Sequence, residues 1–220
     1  MSIRNKRILR DIKDVIMDET LDNIHYMYDE DKIDIGYALI YGMENTPYAY
    51  GCYLFKIEFS LNYPFEPPLV TFMTGDSTTR FHPNFYVSGH VCLSILNTWP
   101  GERWSACQSL LSVLVNIYTL FDATPLLYEP GISKNHVDFI NYHTMITYKN
   151  IDVAILHCLN IANLSTPFKR FHPLICHLYD KNKHNIILNA TRPNEDLQLI
   201  IYNNMSHTCN FEHLLDTLKN

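Results

Sequence analysis

A thiol attacks only as the thiolate, and a free cysteine ionises near pH ~8.5, so an attacking cysteine usually has a base beside it. In this 220-residue chain the pattern closest to that need is short: His82, Asn84 and Cys92 fall within eleven positions. These are the residue types of a papain-like site, and equally of a buried, inert Cys beside a loop His. The order is wrong for a cysteine protease, and Pro83 stiffens the link between His82 and Asn84. Residue types alone leave the role of the thiol open. The other five cysteines are scattered and the chain has no Cys-x-x-Cys pair, which argues against a disulfide framework and a zinc ribbon. His172-x-x-x-Cys176-His177 could place two ligands on one helical turn, but no second pair accompanies it and no metal is expected. Nothing resembles a phosphate-cradling Gly-rich loop, so no cofactor is expected either.

Cys92 lies in a stretch, residues 75–103, where no periodicity persists and Gly75, Pro83, Gly89, Pro100 and Gly101 punctuate the chain. Irregular segments of that length inside a compact domain are uncommon unless they are functional. Ahead of it, runs rich in β-branched and aromatic residues at 24–28, 35–41, 52–59 and 69–74 are separated by turn signals, which predicts a four-stranded antiparallel meander. Tyr53, Phe55, Ile57 and Phe59 alternate onto one face, which should meet a helix layer. Beyond the loop, Ser105 is placed to cap a central helix carrying Leu110, Leu111, Leu114, Val115, Ile117 and Tyr118. The helical patterns at 137–148 and 151–164 predict a hairpin of two helices, followed by a helix near 173–180, a short strand at 186–188 and a final helix near 211–218. At the N-terminus Ile8, Leu9, Ile12, Val15 and Ile16 follow the three-and-four spacing of an amphipathic helix.

Composition narrows the partners. Hydrophobic residues make up 47% and charged residues 18%, with 7 Gly, as in a globular protein. The net charge is −6, yet Arg4, Lys6, Arg7, Arg10 and Lys13 meet only Asp11 and Asp14 in the first sixteen residues. The acidic body speaks against nucleic acid, whose phosphates need a basic face. The basic head is either a solvated helix face or a dock for an acidic protein surface. No apolar run approaches the ~20 residues of a membrane helix, and the first six residues lack an apolar signal core, so neither a membrane nor secretion is expected. A cytoplasmic location is expected, with the nucleus also open.

The order of residues is more specific than their types: Tyr63-Pro64-Phe65-Glu66-Pro67-Pro68, then His82-Pro83-Asn84, then Cys92-Leu93-Ser94-Ile95-Leu96, then Trp104-Ser105. This closely resembles the ubiquitin-conjugating enzymes, the carrier enzymes of the ubiquitin cascade, in which a Tyr-Pro-Phe-x-Pro-Pro stretch and a His-Pro-Asn motif precede the active Cys. The long loop from Asn97 to Trp104, the Glu129-Pro130-Gly131 breaker and the C-terminal extension resemble the Z-type subgroup in particular. The resemblance covers residues 1–165 as a catalytic domain and leaves 166–220 as an extension packed on or beside the core. It implies an α+β fold: N-terminal helix, four-stranded antiparallel meander, central helix and C-terminal helical hairpin.

Carried over residue by residue, the resemblance implies that Cys92 accepts ubiquitin, or a ubiquitin-like modifier, from an activating enzyme as a thioester and yields it to a lysine or a ligase. Asn84 would hold the loop or stabilise the oxyanion, and His82 would brace the loop, with a base role as the lesser alternative. Glu129 would orient the incoming lysine or stand as a solvated turn acid. Phe65 with Ser105 and Ala106 would contact ligases, although a core Phe is the competing reading. Arg4, Lys6, Arg7 and Arg10 would face the activating enzyme. Departures matter: Ser105-Ala106-Cys107 lacks the usual Pro, Ser94 replaces a common acid, and His82 stands where Z-type relatives tend to carry Asn. The rival functions are an inactive ubiquitin-binding variant, a carrier of another modifier and, last, a Cys hydrolase.

Overall fold

The alternation over residues 53–59 becomes the third strand of an antiparallel meander, β1 (Ile24–Tyr28), β2 (Ile35–Tyr41), β3 (Cys52–Glu58) and β4 (Leu69–Phe72), paired in chain order. The computed structural model describes residues 1–202 and 205–219. Phe55 sits opposite Ala38 on one side and Phe72 on the other, so bulky and small side chains interdigitate across the inner face. Tyr53, Phe55, Ile57 and Phe59 are all buried, and Phe121 stacks on Tyr53 at 4.4 Å between ring centroids. Phe121 follows α2 (Leu110–Thr119), whose Leu110, Val113, Leu114 and Ile117 are buried.

The first helix, α1 (Ile3–Ile16), is capped by the Ser2 hydroxyl, which accepts from the Asn5 amide at 3.1 Å. Ile8, Ile12 and Val15 point inward; Leu9 and Ile16, also expected there, remain 42% and 51% exposed. Buried Asp11 accepts hydrogen bonds from Arg7, from the Tyr63 hydroxyl and from the Leu110 amide, so one carboxylate ties α1 to the first turn of α2. The central helix starts later than the sequence predicts. Its cap is Ser109, which shares a capping box with Ser112, while Ser105 to Gln108 form a turn.

After a 3-10 turn at Pro125–Tyr128, the segments expected as a hairpin form one continuous rod: α3 (Asp138–Lys149) runs into a π-helical stretch at Asn150–His157. The polar pair that read as a turn is instead buried and satisfied. Lys149 meets Asp76 at 2.9 Å and Asp152 at 3.0 Å. Asn150 accepts from the Tyr53 hydroxyl at 2.7 Å and donates to the Ala49 carbonyl at 2.8 Å. The return arm is α4 (His172–Ala190), which packs against the π-helical part of the rod and also absorbs the strand expected at 186–188. Only Ile186 of that trio is buried, one helical turn from buried Ala190. A polar ribbon, β5 (Glu195–Gln198) with β6 (Ser206–Cys209), had no counterpart in the sequence reading, and α5 (Phe211–Lys219) closes the chain.

The outer face of the meander is covered as well. Tyr41, Leu39, Leu54 and Cys52 are buried there, with Phe168 edge-on to Tyr37 at 5.3 Å and Asn182 donating to the Tyr41 hydroxyl at 3.0 Å. Phe168, Phe171 and Ile175 join the same buried cluster as the strands. Among the described residues no helix is long and apolar enough to cross a membrane.

Candidate active site

The segment entering the site hangs from two buried tyrosines: Tyr48 donates to the Phe81 carbonyl at 2.7 Å and Tyr142 donates to the Arg80 carbonyl at 2.9 Å. Phe81 and Phe85, both fully buried, pin it on either side of His82-Pro83-Asn84. Short bridges join His82 to Phe85 and Phe85 to Val91, and the turn between them uses Gly89 at φ +88°. This hairpin lays Cys92 beside Asn84. The Cys92 amide donates to the Asn84 carbonyl at 2.9 Å, and the Asn84 side-chain amide donates back to the Cys92 carbonyl at 2.6 Å.

His82 is fully buried, and its Nδ1 accepts the Asn84 amide at 3.0 Å. Burial, and then the Arg80 cation, hold its pKa down at about 3. With its acceptor nitrogen occupied and its charged form this unfavourable, the ring ties the segment to the Asn84 backbone, as the bracing role has it, and is poorly placed to take up a proton. The Asn84 side-chain donor is engaged with the Cys92 carbonyl, and its Oδ1 is buried without a partner among the described residues.

Cys92 is 6% exposed. Burial pushes its thiol pKa up, opposed by a hydrogen bond with Tyr86 and by the charge of Arg80, so the resting thiol is protonated at neutral pH. Past it, the Thr98 hydroxyl accepts from the Leu93 amide at 2.9 Å and donates to the Val91 carbonyl at 2.8 Å, stapling the chain on both sides of the thiol. A left-handed Asn97 then turns the chain, and its Oδ1 accepts the Trp104 amide at 3.0 Å. The Trp104 indole donates to the Pro64 carbonyl at 2.7 Å, linking the Pro-rich stretch to the same loop.

Glu129 comes to this region but is not a free acid. It accepts from the Tyr202 hydroxyl at 2.6 Å and lies 4.0 Å from Arg80. Phe65 is 79% exposed, which removes the core reading. Ser105 is exposed, and the Ala106 carbonyl accepts from Arg7 at 2.9 Å. The basic head divides, contrary to the expectation of four outward cations. Arg4 donates to the Ser60 and Phe59 carbonyls and pairs with Asp34, and Arg7 pairs with Asp11 and donates to the Ala106 and Gln108 carbonyls. Lys6 and Arg10 remain outward. His172 Nε2 donates to the Leu159 carbonyl at 2.8 Å, and no group of three or more His, Cys, Asp or Glu suited to a metal occurs among the described residues. Arg80, Tyr86, Thr98 and Tyr202 escaped the sequence reading; Arg80 and Tyr86, each two residues from the ends of the His-Pro-Asn run, and Thr98, in the long loop after Cys92, were within reach of local signals, and Tyr202 was not.

Comparison with known proteins agrees with this geometry. Residues 7–141 match the family described as Ubiquitin-conjugating enzyme. The chain is 45% identical over 126 residues to Ubiquitin-conjugating enzyme E2 Z of Xenopus tropicalis, covering 56% of this chain and 40% of that protein. It is 45% identical over 122 residues to the protein of the same name from Homo sapiens, covering 54% and 34%. Probable ubiquitin-conjugating enzyme protein 17 of Caenorhabditis elegans is 42% identical over 139 residues, covering 60% and 19%. The chain thus spans less than half the length of these relatives, and the Z-type likeness expected from the loop, the breaker and the extension is met in the names of the first two. With the family pattern matched over more than half of its residues, the chain belongs to the ubiquitin-conjugating enzyme family.

Proposed function

We propose that this chain carries ubiquitin, or a ubiquitin-like modifier, as a thioester on Cys92 and passes it to a lysine or a ligase. The observation that carries the reading is the reciprocal pair of hydrogen bonds between Asn84 and Cys92, which fixes the Cys92 backbone within a braced loop. Exchange between two thioesters is nearly balanced in free energy, so such a site needs position more than activation. In charging, Cys92 sulfur attacks the carbonyl carbon of the modifier's C-terminus; the new C–S bond forms as the bond to the activating enzyme's sulfur breaks, and the Cys92 proton ends on that departing thiol. In discharge, a neutral lysine amine attacks the same carbon. The C–N bond forms, the C–S bond breaks, and one amine proton ends on the released Cys92 thiol.

Within this reading Glu129 faces the incoming lysine, Asn84 holds the loop, exposed Phe65 with Ser105 and Ala106 offers a ligase contact, and Lys6 and Arg10 meet the activating enzyme. Residues 1–165 are the catalytic domain, and the extension from residue 166 completes it. The cysteines are all free among the described residues, which suits a reducing compartment such as the cytoplasm or nucleus.

The test mixes the protein with each activating enzyme, its modifier and ATP, and compares non-reducing with reducing gels. A reductant-sensitive band one modifier heavier, absent in Cys92→Ala, is the expected result. No band with any pair would leave a binding variant of the fold.

A further inference from the structure

Arg80 stands two residues before His82, and its guanidinium lies between two rings, 4.1 Å from the Tyr86 centroid and 5.0 Å from that of Tyr202. One of its nitrogens donates to the Pro83 carbonyl at 2.5 Å, inside the His-Pro-Asn segment. Tyr86 in turn acts on the Cys92 thiol, drawing its pKa down against the effect of burial. On the other side, the Tyr202 hydroxyl donates to Glu129 Oε2, the same oxygen that Arg80 approaches. Tyr202 belongs to the C-terminal extension and reaches the site by a built route. The amide of Ile201 donates to Oδ2 of Asp138 at 2.8 Å, and that carboxylate is 1% exposed at the start of α3. The Tyr142 ring, whose hydroxyl holds the Arg80 carbonyl, lies 5.9 Å from the Tyr202 ring.

Removing Tyr202 would open one face of the Arg80 guanidinium and leave Glu129 with only the 4.0 Å approach of that cation, beyond ordinary hydrogen-bond length. Ring and hydroxyl therefore do separable things: the ring confines Arg80, and the hydroxyl fixes the carboxylate. We propose that Tyr202 is a positioning residue of the thioester site, holding Arg80 and Glu129 in register with Tyr86 so that discharge of Cys92 depends on a side chain supplied by the C-terminal extension. The proposal rests on the carrier reading above.

Discharge to free lysine is measured in single turnover on pre-charged full-length protein over a range of lysine concentrations, so that effects on charging drop out. Tyr202→Phe keeps the ring and loses the hydroxyl; its maximal discharge rate should fall about ten-fold with half-saturation by lysine little changed, as for loss of one hydrogen bond to a charged group. Tyr202→Leu should fall further. Because the hydroxyl acts through Glu129, the double variant Tyr202→Phe with Glu129→Gln should be no slower than Glu129→Gln alone. Wild-type discharge in Tyr202→Phe, or losses that multiply in the double variant, would overturn the proposal. Should the wild type form no thioester at all, the carrier reading fails, and the arrangement itself is read by iodoacetamide alkylation of Cys92, followed on its own peptide by mass spectrometry. Tyr202→Leu should then slow alkylation roughly three-fold, the effect of half a pKa unit, while Tyr202→Phe matches wild type. Equal rates in all three proteins would overturn it.

Discussion

Asn84→Ala tests what the Asn84 amide does. The substitution deletes a donor 2.6 Å from the Cys92 carbonyl, in a place where Asn84 itself is 8% exposed. A buried acceptor left unpaired costs about 1–3 kcal/mol. Part of that is returned, because Oδ1 of Asn84 is already buried without a partner among the described residues and its removal relieves an existing cost. The backbone bond from the Cys92 amide to the Asn84 carbonyl survives in any variant, so the loop keeps one of its two ties. The net loss should be about 1–2 kcal/mol, which for a chain of this size lowers the thermal midpoint by about 2–8 °C. The same loosening, expressed as lost alignment, slows discharge about 5- to 30-fold and leaves charging closer to wild type. Asn84→Asp sharpens the test. Its carboxylate would face a carbonyl in a buried place, which raises its folded pKa above the unfolded value near ~3.9. Its stability is then whole below about pH 4 and is lost as pH rises through the folded pKa. The assay is thermal melting of both variants at pH 5 and pH 8, beside single-turnover discharge. Wild-type melting of Asn84→Ala with discharge down more than about 100-fold would refute the loop-holding argument and assign the side chain to the oxyanion.

His82 is neutral in the fold with its pKa at about 3, whereas the unfolded chain protonates near ~6.5. Stability should therefore fall as pH drops from about 6 toward 3, by up to ~1.4 kcal/mol per unit, and His82→Gln should flatten that slope in urea melts; parallel slopes would count against it. Tyr48→Phe strips the partner from the buried Phe81 carbonyl and should cost about 1–2 kcal/mol in urea unfolding, an unchanged midpoint being the adverse result. Arg7→Ala leaves Asp11 buried without its cation and should destabilise by about 3 kcal/mol or more, whereas Lys6→Ala and Arg10→Ala should melt within about 0.5 kcal/mol of wild type. Those two exposed variants should instead slow charging at low salt, and equal charging at 50 mM and 500 mM salt would remove them from the docking face.

The strands were legible because their period-two alternation and turn residues sit within a few positions of one another, whereas the hairpin that presents Cys92 read only as an irregular segment, since the single bridges that make it leave no periodicity. The rod of α3 was misread at Lys149-Asn150, since a polar pair in an apolar pattern looks like a turn until its buried partners, Asp76 and Tyr53, are known. The trio at 186–188 has strand-like residue types but lies inside a 19-residue helix, where packing decides. Arg4 and Arg7 show the same limit for charge: a sequence displays the cation and hides the carbonyls of Phe59, Ser60, Ala106 and Gln108 that take it up. Tyr202 left no local trace, because its meaning depends on Glu129 and Arg80, far away along the chain.

A four-stranded meander buried on one face alone could shed a neighbouring segment and stay folded. Here Leu39, Leu54, Tyr41 and Cys52 on the outer face are sealed by Phe168 and α4, while the inner face is sealed by α2. Peeling away the chain beyond residue 165 would bare a contiguous apolar and aromatic surface in the middle of the sheet, the kind of surface that drives self-association. The amides of β2 and β3 and those of α4 should then exchange with solvent in one cooperative step, at one free energy, as a single foldon. The chain on either side of residue 165 would have to fold, unfold and turn over together, so that damage to one part reaches the other through the sheet between them.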